Sequence, residues 1–500
     1  AKFAVTTQSS GAGNRVAFTT QPVITVQDIS GNTVTSSSDV ITAAVGSGPT
    51  LGGTVTATAS SGVATFSNLK LTGTIGTYTL TYTSGSLTST SHSIDLSHGA
   101  ATQLVMTLPA SAISGAAMGT QPLVTIKDAD GNVVTTGSQS TQTVTISIAT
   151  GATLTGTASM SAVAGVADFT GKGITLTGAV GSKTLTATIS SPSTITTTGS
   201  VSLSFGVATK LAINQATVSA TNRVNFSTQP VVTVQDANGN TISDSTAAIT
   251  VTVDSANVTL GGSTSVNAVS GLYTFSGSKL SGTAGTYTIT YASSGLTSVT
   301  QTVTLVAGAV DHITLTASTM AQNAIALSTQ PYVTTYDADN NVTNTVTQSV
   351  SIAATGATLS GTTTQAASAG IADFTGNSLA LTGTVGTKTL TASVVINGTT
   401  FTSNSLSIQL TAGTATKLGL TQNALGAASR KVITTQPVLE VQDVSGNRVP
   451  GRTDTITVST SGVTLGGDTS MAAVDGTATF ANNANGLKLS GTVEIGRAHV

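Results

Sequence analysis

Five short strings place oxygen donors where a divalent cation could sit. Asp-x-Asp-Gly-Asn runs from Asp128 to Asn132, Asp-x-Asp-Asn-Asn runs from Asp337 to Asn341, and variants begin at Asp28, Asp236 and Asp443. Alternating carboxylates are the hard ligands calcium takes, so Asp128, Asp130, Asp337 and Asp339 are the candidate metal ligands and calcium the candidate cofactor. The spacing argues the other way. A calcium loop of the EF-hand kind needs glycine at position six and a bidentate acid at position twelve, whereas Gly131 falls fourth and Gln139 twelfth. A hairpin turn explains the same string: aspartate caps backbone amides while Gly, or Asn340 in the fourth string, takes positive φ. The turn is the expected structure, with no metal, cofactor or catalytic residue assigned.

Other candidate chemistry fares worse. His92-x2-Asp95-x2-His98 lies at the end of a strand, where residues three apart point to opposite faces, so Asp95 cannot join the two histidines. Nucleophilic hydrolysis needs a base beside a hydroxyl, and beyond these two the chain has only His312 and His499. Asp168 and Asp373 stand alone in Ala-Asp-Phe strings and are expected to face solvent opposite a buried Phe. Thr-x-Thr strings such as Thr79 to Thr83 recur only once per repeat, too sparsely for an ice-binding array. No enzyme activity is expected.

What must position these residues is a repeat. Thr-Gln-Pro occurs with its proline at Pro22, Pro122, Pro230, Pro331 and Pro437; an aspartate follows six residues later and an asparagine ten residues later. A phenylalanine closes a later string at Phe66, Phe169, Phe275, Phe374 and Phe480, and Gly-x-x-Gly follows at Gly73, Gly178, Gly282 and Gly383. Neighbouring prolines are 100, 108, 101 and 106 residues apart, but alternate ones are 208, 209 and 207 apart, so the duplicated unit is a pair. Odd repeats carry Tyr78-x3-Tyr82 and Tyr287-x3-Tyr291, where even repeats carry Lys183-x3-Ala187 and Lys388-x3-Ala392. Such alternation would keep neighbours dissimilar and suppress misassembly between them.

Within a repeat the apolar residues alternate, as in Tyr78-Thr79-Leu80-Thr81-Tyr82, between turns rich in Gly, Asn and Ser. About seven short strands per 100 residues describe an immunoglobulin-like β-sandwich. The expected fold is all-β, a tandem array of such sandwiches forming an elongated rod. Its units are residues 1–99, 100–206, 207–308, 309–413 and a truncated 414–493.

Charged residues make up 7% of the chain and the formal net charge is -2, so no basic stripe exists for nucleic acid. There are no cysteines and no apolar stretch of membrane-spanning length, so membrane insertion by this segment is not expected.

Gln229 to Asn240 and Gly282 to Thr290 resemble the tandem bacterial immunoglobulin-like repeats of very large surface proteins, the stalk type found in invasin and intimin. The resemblance covers nearly the whole chain and implies an extracellular or bacterial cell-surface location. It implies a structural stalk or spacer of an adhesin-like protein, which meets host or neighbouring-cell ligands through a terminal domain elsewhere. A repeated glycan-binding module is the alternative; exposed aromatics at matching positions of several repeats would favour it. The tail from Glu494 to Val500 breaks the repeat and resembles a translated sequencing adaptor, which leaves the fifth unit without its last two strands.

Overall fold

The computed structural model describes every residue except 86, 192, 482 and 492–500. The tail singled out above therefore lies outside the described residues. No helix among the described residues is long and apolar enough to cross a membrane.

The first unit shows how the pattern becomes a sandwich. Its strands are β1 (Lys2–Thr7), β2 (Ala12–Gly13), β3 (Val23–Gln27), β4 (Val40–Val45), β5 (Thr50–Thr54), β6 (Thr56–Thr58), β7 (Val63–Thr65), β8 (Ser67–Thr72), β9 (Gly76–Thr83) and β10 (Thr90–Ser97). One sheet has the order β1-β3-β7, the other β2-β10-β9-β4-β6, and β5 pairs with β8 between them. Ten strands replace the seven expected, for a physical reason. β5 and β6 are one extended run that changes sheets at Val55 just after a register shift at Gly53, and β7 and β8 are one run that changes sheets at Phe66. The remaining addition, β2, is a two-residue parallel edge on β10.

Alternation puts Leu80 and Tyr82 of β9 into the core and leaves the flanking Thr79 and Thr83 outside. Phe66, Phe169, Phe275, Phe374 and Phe480 are all buried. In the first and third units the phenylalanine packs on a tyrosine, Phe66 on Tyr82 at 5.4 Å and Phe275 on Tyr291 at 5.2 Å between ring centroids. The glutamine of Thr-Gln-Pro has a structural task. In the first unit Gln21 donates through Nε2 to the carbonyls of Phe18 and Leu69 and accepts from the Leu69 amide, and Gln121, Gln229, Gln330 and Gln436 repeat this stitch.

The second, third and fourth units repeat both sheets, the fourth with an added strand at Thr399–Thr402. The fifth unit, among the described residues, keeps the three-stranded sheet but pairs only Thr455–Thr457 with Ser470–Ala472 where the others have five strands or more. Its core counts seven buried apolar residues against sixteen in the first.

The whole molecule is extended. Its accessible surface is 24536 Å² for 49.0 kDa. A single compact globule of that mass would expose about 16,700 Å², and five separate globules about 25,800 Å². The units therefore touch only at small ends.

Candidate functional site

The five aspartate strings are turns, and four of them are seated in the end of the preceding sandwich. Within the second unit's turn, Asp128 Oδ1 accepts from the amides of Asp130 (3.0 Å) and Asn132 (2.9 Å), the expected capping. Its other oxygen reaches across the joint. Asp128 Oδ2 accepts from the Gly99 amide at 2.9 Å and from Asn14 Nδ2 at 2.9 Å, both on the first unit's side. Asn132 completes the seat, donating to the Gly73 carbonyl at 2.9 Å and accepting from the Ile75 amide at 3.1 Å. Gly-x-x-Gly and the aspartate turn are thus two halves of one joint.

The other joints repeat the geometry. Asp236 Oδ2 accepts from the Gly206 amide, Asp337 Oδ2 from Gly308 and Asn222, and Asp443 Oδ2 from Gly413 and Asn323. Asn240, Asn341 and Asn447 donate to the carbonyls of Gly178, Gly282 and Gly383. The linker glycine is required by close approach: a Cβ on Gly206 would stand 2.4 Å from the Ser114 carbonyl oxygen, and one on Gly413 would stand 2.2 Å from that of Asn323.

The odd and even repeats differ at these joints. Where an odd unit precedes an even one, an arginine at φ 64 follows the asparagine, and Arg15 grips Asp130 through Nε (2.7 Å) and Nη2 (2.6 Å). Arg223 grips Asp339 likewise, at 2.7 Å twice. Where an even unit precedes an odd one, the positive-φ residue is Gly115 or Ala324 and the turn offers Asn238 to Ser114 Oγ, or Ser445 to Asn323 Oδ1. The Tyr/Lys alternation supports the same place, since Tyr78 and Tyr287 donate to the Thr74 and Thr283 carbonyls in the receiving loop, and Lys388 Nζ donates to Thr384 Oγ1.

Electrostatics follow from this geometry. Burial alone would raise the carboxyls of Asp128 and Asp337, but the N–H donors around them outweigh it and hold both far below the usual carboxylate range. The same balance brings Asp443 down to about 2 and lowers Asp236. The candidate calcium ligands Asp128, Asp130, Asp337 and Asp339 therefore face amide and guanidinium N–H groups. A cation there would have to displace Arg15 or Arg223.

His92, Asp95 and His98 separate. His92 is buried, its Nε2 accepting from the Ser9 amide at 3.0 Å and lying 2.7 Å from Ser9 Oγ, and its ring stacks on Tyr82 at 5.7 Å. Asp95 accepts from Thr77 Oγ1 on the solvent face, and His98 pairs with Thr136 across the first joint. His92 Nδ1 and Tyr82 Oη are buried without a partner. In the third unit Gln301 occupies the corresponding place, and its Nε2 donates to Tyr291 Oη at 2.7 Å. Asp168 and Asp373 cap the amides of Thr170 and Thr375 beside the buried phenylalanines.

Solved structures to which the chain is similar include FdeC, an Escherichia coli adhesin, at 18% identity over 62% of this chain and 96% of that one, with a TM-score of 0.31. Invasin, a bacterial integrin-binding protein, aligns at 14% identity over 98% of both chains, with a TM-score of 0.30. InvD of Yersinia pseudotuberculosis aligns at 18% identity over 62% of this chain and 98% of that one, with a TM-score of 0.26. Bacterial adhesins and invasins are among its structural neighbours. No family model and no curated protein sequence matches the chain.

Proposed function

We propose that the chain is a structural stalk, a spacer of a large bacterial cell-surface or secreted adhesin-like protein that holds other domains at a distance and catalyses nothing. The observation that carries this is the seated turn, repeated at four joints with buried Asp128, Asp236, Asp337 and Asp443. A flexible string of beads has no need to bury a carboxylate at each joint. A spacer under load does, because the multiple hydrogen bonds to a charged group resist bending. The surface location follows from the resemblance of the repeats.

The glycan-binding alternative calls for aromatics repeated at matching exposed positions. Tyr332 is the one exposed aromatic among the described residues, and Val23, Leu123, Val231 and Val438 stand at its counterparts. A test exposes the whole chain to a glycan array and, separately, images single molecules to measure their length. A stalk binds no glycan and shows one narrow length distribution. Saturable glycan binding, or a broad spread of lengths, contradicts the proposal.

A further inference from the structure

The first unit's turn, Asp28 to Asn32, has the internal geometry of the seated turns. Asp28 Oδ1 accepts from the amides of Ser30 and Asn32, both at 2.9 Å, as Asp128 and Asp443 do in theirs. It differs on its outer side. Asp28 Oδ2 takes one hydrogen bond, from Asn32 Nδ2, where Asp443 Oδ2 takes three, from Asn323, Gly413 and Asn447. Ser30, Gly31 and Asn32 are exposed, and Ile29 just before them is 95% exposed.

We propose that this turn is a docking surface whose occupant is the end of an immunoglobulin-like sandwich of the even type. Such an end presents a side-chain oxygen that accepts from the turn's third residue, Ser114 Oγ or Asn323 Oδ1, followed by a small residue at positive φ, with a linker glycine amide beside it. The turn is preformed, so docking orders nothing new. Its third residue selects the type. Ser30 matches Asn238 and Ser445, which donate to Ser114 and Asn323 of the even ends, and differs from Asp130 and Asp339, which accept from Arg15 and Arg223 of the odd ends. An odd end would set its guanidinium against a hydroxyl and leave it without a carboxylate. The end of the fifth unit in a second copy is of that wrong type, with Arg430 at φ 58 and its amide bonded to the Leu489 carbonyl, as Arg15 bonds Leu71. This inference rests on the stalk proposal above.

The test adds one unit ahead of Ala1 of the whole chain, either residues 309–415 (even end) or residues 207–309 (odd end), each of which keeps the native spacing from its linker glycine to the turn. Spin labels on the added unit and the first unit give the width of the distance distribution across the new joint; labels on the fourth and fifth units give a native reference. The even addition is expected to match the reference width, and the odd addition to be at least twofold broader. Ser30→Asp is expected to reverse this, narrowing the odd joint and broadening the even one. Equal widths for both additions, a broad even joint beside a narrow reference, or no response to Ser30→Asp overturns the proposal. A broad reference joint would instead refute the rigid stalk itself.

Discussion

Asp128→Asn keeps the size of the side chain but turns a donor toward donors: its Nδ2 would meet the Gly99 amide and the amide groups of Asn14 and Asn132. Losing hydrogen bonds to a buried charge costs about 1–3 kcal/mol. Faster amide exchange at Gly99 and Ile75 is the expected readout. Asp28→Asn, in an exposed turn without that seat, should cost much less; equal costs would mean that the joint contributes nothing. The four seated carboxyls have depressed pKa values, so their contribution is complete above an ordinary carboxyl pKa near 4 and is lost as pH falls through the folded values, about 2 at Asp443. Because N–H groups already fill these carboxylates, chelation of calcium should leave exchange at Gly99 unchanged.

His92 works in the opposite pH range. Burial lowers its pKa, so the folded first unit holds it neutral while the unfolded chain protonates near pH 6.5. Stability of this unit should therefore fall as pH drops below about 6.5. His92→Gln, copying Gln301, should give Tyr82 Oη a partner, raise the melting temperature of this unit and abolish that pH dependence. A variant no more stable than the parent at pH 5 would show that the unpaired atoms cost nothing.

At the scale of elements, each sandwich carries its own core, so Phe275→Ala should cost the third unit about 3–5 kcal/mol and lower one calorimetric transition while the others stay nearly in place. A single merged transition that moves as a whole would contradict independent units. Period-two strands, buried phenylalanines and the aspartate turns could all be read from residue order, because each is a local consequence of side-chain alternation or backbone capping. That Gly73 and Asn132 belong to one joint could not be read so easily. A motif that recurs in every unit does not say whether its partner lies in its own unit or the next. One signal was present: the linker glycine precedes the turn aspartate by 29 residues at Gly99 and Gly308 but by 30 at Gly206 and Gly413, alternating with unit type. The run changing sheets at Phe66 left a second signal, a slip in the alternation: Ser67 and Asn68 are both exposed, with Asn68 at φ 57, before Leu69 and Leu71 turn inward.

At the scale of the whole molecule, four seated joints should convert five globules into a stiff rod. A 100-residue globule is roughly 35 Å across from its radius of gyration, so five set end to end span on the order of 170 Å. Small-angle scattering of the intact chain at neutral pH tests this most directly. A maximum dimension near 170 Å with a rod-like cross-section is the predicted result; a compact particle about 80 Å across, or the broad profile of a flexible string, would contradict it.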